Sequence, residues 1–159
     1  ISQILNNEKL TITDPLMTRF LMSLDQAVSL VKYAFNNSSQ GDLFIQKSPA
    51  CNLKILSEAL LEIFNADNEI VIIGSRHGEK LYESLLSREE MSRVVEHDNY
   101  YSLPVDEGDL NYSKFYEEGD PRVKLNNTKD YTSHNTQQLS VEEVKEVLLN
   151  LKYVQKFLK

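Results

Sequence analysis

A chain of 159 residues, 41% hydrophobic and 26% charged, has room for one core of ordinary size and the composition of a folded, water-exposed protein. Its formal charge of -7, from 17 basic and 24 acidic side chains, disfavours nucleic acid or an acidic membrane surface as a partner, because either would be repelled at long range. Any anion it binds must therefore be met locally, by a few aimed cations. The single cysteine, Cys51, excludes an internal disulfide, and no stretch approaches the roughly 20 apolar residues of a membrane helix.

These features predict a reducing, cytoplasmic location, and the N-terminus has no positive, apolar, small-residue pattern of a signal peptide. Ile1 opens "ISQILNNEKL" part-way along a helix and without methionine, as a fragment with a missing N-terminal portion would.

In chain order, residues 2–7 read as a helix end that Asn6 and Asn7 can stop, because Asn tolerates the left-handed conformation. "LTIT", 10–13, alternates and is β-branched, which predicts a strand turned by Asp14-Pro15. "MTRFLM", 17–22, reads as extended. Ser23 and Gln26 form a capping box ahead of a helix with Leu24, Ala27, Val28, Val31, Ala34 and Phe35 on one face, ending at "NNSSQG". "DLFIQ", 42–46, predicts a strand and Pro49 a loop. Cys51 reads as a small buried or half-buried residue near a helix start, without the basic neighbours that would make its thiol reactive.

Asn52 then caps a helix striped by Leu53, Leu56, Leu60, Ile63 and Phe64. "EIVIIG", 69–74, is nearly all apolar, as in a parallel strand buried on both faces. Strands and helices alternating at this spacing predict α/β layering. Beyond residue 86 the pattern loosens. "NYYSLPV" is a possible strand, and 106–136 is polar with little apolar periodicity, either a flap or oligomer contact or an exposed loop. Ser140 and Glu143 form a second capping box, before a helix with Val141, Val144, Val147, Leu148 and Leu151 on its apolar side. The division this implies is an α/β region over 1–86, a loop-rich extension over 87–139 and a terminal helix over 140–159.

Several chemistries are absent from the sequence. The five glycines are too dispersed for a dinucleotide turn, and no Tyr is followed four residues later by Lys. His77, His97 and His134 lack the spacing of metal ligands, so no metal is expected, and no carboxylate pair stands out. The arginines remain. Arg19 in "MTRF" and Arg76 in "SRHGEK" each follow a strand, where open α/β folds place ligands at one sheet edge. Two guanidinium forks there could clasp a diphosphate, with Gly78 admitting close backbone approach and Glu79 accepting from ribose hydroxyls. The competing reading pairs Arg19 with Asp14 or Asp25, and Arg76 with Glu79, as surface ion pairs contributing about 0–1 kcal/mol each. The pattern leaves both open.

The blocks "LTITDPLMTRFLMSLDQAVSLV", "GDLFIQKSPA", "IIGSRHGEKLYESLLSREEM", "DLNYSKF" and "DYTSHNT" resemble the C-terminal part of the CapD/CapE-type polysaccharide biosynthesis enzymes. These are extended short-chain dehydrogenases/reductases acting on UDP-sugars. The resemblance is nearest to the inverting UDP-N-acetylglucosamine 4,6-dehydratases (dehydratase/5-epimerases) of capsule and O-antigen lipopolysaccharide synthesis, and some relatives are named UDP-glucose 4-epimerase. His77 stands where many relatives have proline, and points to the inverting subgroup.

The resemblance implies an α/β, C-terminal substrate-binding portion whose NAD(P)-binding Rossmann half is missing, together with the Tyr-x-x-x-Lys catalytic residues. It implies that Arg19 and Arg76 grip the diphosphate, Glu79 faces the uridine ribose, the Thr11–Thr13 edge lies by the uracil, and Thr18 and Gly78 make lesser contacts. The implied cofactor is NADP or NAD, bound by the absent half. The reaction would oxidise C4, eliminate water across C5 and C6, return the hydride and invert C5, whereas an epimerase would only return the hydride to the other face at C4. The full-length enzyme would form a homo-oligomer, and the fragment would be inactive alone. Two other classes compete: a non-catalytic nucleotide-binding or assembly module, and a domain with structural contacts only.

Overall fold

A computed structural model of the protein describes residues 1–105 and 128–158. The chain separates into two compact units, one built from residues 1–21, 48–83 and 133–159, the other from 22–47 and 84–132.

In the first unit, helix α1 (Ser2–Leu5) ends through Asn7, whose φ of 55° lies in the left-handed region that asparagine tolerates. Strand β1 (Leu10–Ile12) follows, and Asp14 makes the turn by accepting from the Leu16 N–H at 2.8 Å. Strand β2 (Thr18–Phe20) pairs antiparallel with a strand over Ala50–Asn52. The helix that follows the latter spans Leu53–Ile63, and the Asn52 carboxamide caps it by accepting from the Ile55 N–H at 2.8 Å. A strand over Ile70–Ile72 lies parallel to β1, Ile12 opposite Ile72, and the Ile73 N–H donates to the Ile12 carbonyl at 2.8 Å.

The core of this unit gathers Cys51, Ala59, Leu139, Val144, Leu148 and Val154, with Leu56, Leu60, Ile63 and Phe64 packed against it. Two C-terminal helices, Val141–Leu149 and Lys152–Gln155, close that core. The Ser140–Glu143 capping box has both of its reciprocal bonds. The Lys145 ammonium reaches Glu62 at 2.7 Å on the opposing helix.

In the second unit, Ser23 caps helix α2 (Leu24–Asn37) with the expected box to Gln26. Strand β3 (Leu43–Gln46) follows it. The other strands, in chain order after β3, are β4 (Ala50–Asn52), β5 (Ile70–Ile72), β6 (Ser84–Leu86), β7 (Val95–Glu96), β8 (Tyr100–Leu103) and β9 (Tyr131–Thr132). The helices after α2 are α3 (Leu53–Ile63), α4 (Arg88–Met91), α5 (Val141–Leu149) and α6 (Lys152–Gln155). Sheet β3-β8-β7 is antiparallel, and Tyr33 from α2 stacks on Tyr100 at 4.4 Å between ring centroids. Strands β6 and β9 form a separate antiparallel pair.

Mixed α/β architecture is thus observed, but as four small sheets among the described residues. Two expectations are corrected. Strand β5 is not buried on both faces: it has β1 as its partner in a two-stranded sheet, and Ile72 and Ile73 are 61% and 57% exposed, because no layer among the described residues covers them. Helix α2 buries none of its residues, and Leu24, Val28, Val31 and Phe35 all face solvent, while Tyr33 makes its ring contacts with Phe44, Tyr100 and His97. Most of the polar 106–136 stretch, with "DLNYSKF", lies outside the described residues; "DYTSHNT" lies within them and builds β9 and the turn after it.

Candidate anion-binding site

Because β1 and β5 are parallel, their carboxyl ends leave the sheet at the same end, the place where α/β folds present ligand-binding turns. Thr13 leaves β1 there, and Gly74 leaves β5 with φ +80°. The chain then runs through Ser75, Arg76 and His77 to Gly78, whose φ of +81° is a conformation that side chains disfavour. Arg76 and Glu79 close this turn on each other. The Arg76 N–H donates to Glu79 Oε2, and the Glu79 N–H donates to the Arg76 carbonyl, both at 3.0 Å. A Cβ added at Gly74 or Gly78 would meet nothing within 4 Å, so both glycines serve backbone conformation and face open space.

Arg19 arrives from β2, in a different sheet from β1 and β5, so a shared sheet edge does not bring the two arginines together. Arg19 instead bonds the backbone of the segment that returns from the Arg76 turn, at Lys80 and Leu81. The Arg19 Nη2 donates to the Lys80 carbonyl at 3.0 Å, Nη1 donates to the Thr18 carbonyl at 2.7 Å and more distantly to Leu81 at 3.5 Å, and Nε lies 3.6 Å from Glu83 Oε1. Met17 Sδ accepts from Nη2 at 2.9 Å. The Thr18 N–H donates to the Leu81 carbonyl at 2.9 Å, continuing the same seam.

Arg19 is thereby held against the segment that begins at Arg76, but its donors are directed at carbonyls, which differs from two open forks. Backbone carbonyls within reach compete for guanidinium N–H groups, so Arg19 contributes its positive charge at the base of the turn. Arg76 is exposed, and among the described residues its guanidinium has no ion pair. The competing ion pairs take neither expected form: Arg19 pairs with Glu83 rather than Asp14 or Asp25, and Glu79 engages the Arg76 backbone.

The threonines divide. Thr11 is exposed on β1 and faces Gln3 of α1, its hydroxyl accepting from Nε2 at 2.9 Å. Thr13 donates to Met17 Sδ at 3.4 Å. Thr18 is buried, and its hydroxyl lies 2.9 Å from that of Ser133. Sequence reasoning missed Glu83 and Ser133. Both stand inside the quoted blocks "KLYE" and "YTSHNT", but no periodicity marks a hydroxyl that bonds 115 residues away.

Cys51 is not part of this chemistry. It is 1% exposed in the core, and burial pushes its thiol up to about 11 from an ordinary 9.0. Among the described residues no group of three or more His, Cys, Asp or Glu side chains is placed to hold a metal, and no helix is long and apolar enough to cross a membrane.

Residues 1–105 match the family described as "Polysaccharide biosynthesis protein", and residues 106–155 the one described as "Polysaccharide biosynthesis protein C-terminal". Over 159 residues the chain is 57% identical to a protein named UDP-glucose 4-epimerase from Rickettsia bellii (strain OSU 85-389) and 56% identical to one of that name from Rickettsia rickettsii (strain Sheila Smith). Each match takes in 100% of this chain and 46% of the relative, so the chain spans about half the length of the curated relatives it matches. An X-ray structure of Pen from Bacillus thuringiensis is similar with a TM-score of 0.75 and 32% identity, over 95% of this chain and 42% of that one.

Proposed function

Since the chain belongs to the polysaccharide biosynthesis protein family, we propose that the turn after β5 binds the diphosphate of a UDP-sugar and that the chain is the nucleotide-sugar-binding portion of an enzyme converting it. The observation that supports this reading is the grip of Arg19 on the Lys80 and Leu81 carbonyls, which ties β2 to the segment leaving the turn that carries Arg76. On a chain of net charge -7, Arg76 is exposed and without an ion pair among the described residues, which leaves its charge open to an anion.

In this reading Arg76 gives the open fork to the diphosphate, with Arg19 adding charge beneath it. Glu79, fixed by the Arg76 N–H, keeps one carboxylate oxygen for ribose hydroxyls. Gly78 leaves room for the phosphates, and Thr11 and Thr13 line the neighbouring β1 end toward the base. Thr18 supports from below. A nicotinamide dinucleotide does not fit the glycine turns of this chain, since Gly74 and Gly78 stand alone and Gly-x-x-Gly-x-x-Gly is lacking. The role of these residues is to hold the nucleotide-sugar in place.

For the full-length protein the reading extends to an NAD(P)-dependent UDP-sugar 4,6-dehydratase/5-epimerase of the extended short-chain dehydrogenase/reductase kind, with UDP-N-acetylglucosamine as substrate. The names of these relatives favour a second reading, 4-epimerisation. Incubating the full-length protein with UDP-N-acetylglucosamine and following the sugar ring by NMR separates them. Loss of the 6-hydroxyl with inversion at C5 supports dehydration, and inversion at C4 alone supports epimerisation. UDP binding without turnover supports a binding module, and failure to bind UDP overturns the proposal.

A further inference from the structure

Ser133 is fully buried, at 0% exposure, yet belongs to no element of the anion-binding turn. Its hydroxyl accepts from the Glu83 N–H at 2.9 Å, donates to the Thr18 carbonyl at 3.1 Å and lies 2.9 Å from the Thr18 hydroxyl. Its own N–H donates to the Glu83 carbonyl at 2.8 Å. One small side chain therefore fastens β2 to the end of the return segment, at the two residues that flank Arg19 in space: Thr18, its chain neighbour, and Glu83, its ion-pair partner at 3.6 Å.

Resting on the UDP-sugar reading above, we infer that Ser133 is a positioning residue for substrate binding. It holds Thr18 and Glu83 in register, and so fixes the Arg19 charge beneath the Arg76 turn. Serine suits the position because it is fully buried and its hydroxyl both donates and accepts there. Alanine would leave the Glu83 N–H without its hydroxyl acceptor and the Thr18 hydroxyl without a partner, both at buried or half-buried positions. Ser133 touches no ligand atom in this scheme, since its effect passes through Arg19.

The test is calorimetric titration of UDP into the full-length protein, in a double-mutant cycle with urea unfolding measured alongside. Ser133→Ala is expected to weaken UDP binding about tenfold, the loss of orientation that a broken buried hydrogen bond brings. In the Arg19→Ala background the same change should have no further effect. Thr18→Val removes the other hydroxyl of the pair and should reproduce the weakening, while Thr18→Ser, which keeps it, should restore binding; these two variants carry the test if Ser133→Ala does not fold. Equal weakening with and without Arg19, or no weakening, overturns the inference. An Arg19→Ala protein that binds UDP like the unaltered one overturns both the inference and the part of Arg19 in the UDP-sugar reading. Weakening by Arg19→Ala with none by Thr18→Val overturns the inference alone.

Discussion

The Arg19 guanidinium donates to the Lys80 carbonyl at 3.0 Å, so strand β2 grips the backbone just past the turn that carries Arg76. This contact makes the charged turn dependent on a strand from another sheet. It also sets different expectations for the two arginines.

Arg76, exposed and without an ion pair among the described residues, is expected to act on ligand alone. Arg76→Ala in the full-length protein should weaken UDP binding by about 1.5–3 kcal/mol, the usual worth of hydrogen bonds to a charged group, and leave the urea midpoint unchanged. Arg76→Lys should recover part of the loss, since it keeps the charge and forfeits the fork. Arg19→Ala should move both readouts.

Gly78 has φ +81° with open space where a side chain would go. Gly78→Ala is expected to cost about 1–2 kcal/mol in urea unfolding from backbone strain alone. Gly78→Asn should cost less, because asparagine tolerates the left-handed region.

Cys51 gives a pH signature. Its folded thiol titrates near 11, above its ordinary 9.0, so the buried, protonated thiol favours the folded state fully below pH 9.0, and that contribution is lost as the pH rises toward 11. Unfolding free energy followed from pH 8 upward should fall in that window, and Cys51→Ala should flatten the fall. At pH 8 the native thiol should resist Ellman's reagent and react fully after denaturation.

Ser140 and Glu143 make a complete capping box at α5, and the Ser140 N–H and hydroxyl hold the Glu143 carboxyl below the usual carboxylate range. A lowered folded value means stabilisation above the ordinary carboxylate range that disappears as pH falls. Ser140→Ala should cost about 1 kcal/mol near neutral pH, and less in acid. Val144→Ala in the same helix, at 0% exposure, should cost about 2–3 kcal/mol at either pH.

The solvent-facing stripe of α2 should make the 159-residue polypeptide self-associate when expressed by itself, visible as concentration-dependent sedimentation. Val31→Glu with Phe35→Glu should abolish that behaviour without altering the helix content seen by circular dichroism.

Local chemistry was well legible. Ser23, Asn52 and Ser140 announced three helix starts because capping is a matter of a few adjacent residues, and Asn7 marked a left-handed helix end for the same reason. Apolar periodicity identified α3 and α5 with the faces they bury. It misled at α2 and β5, where Val31 and Ile72 have the pattern of buried residues but remain exposed, because hydrophobic spacing reports that a face is apolar and not what lies against it. At the site, Arg19 and Arg76 stood out through residue type and position after a strand. The carbonyl grip of Arg19, the pairing with Glu83 and the buried hydroxyl of Ser133 did not, since these depend on which segments the chain returns to one another.

The bond between Thr18 and Ser133 also orders events in time. A ribosome releases Thr18 long before Ser133, so the first strand of the turn's foundation waits with an unanswered hydroxyl until most of this stretch has been synthesised. A nascent polypeptide arrested before that serine lacks the fastening between Thr18 and Glu83, together with the α5 and α6 side chains that close the core of its unit. The register of Thr18 and Glu83 about Arg19 is therefore set late in synthesis, because it depends on a contact distant in sequence.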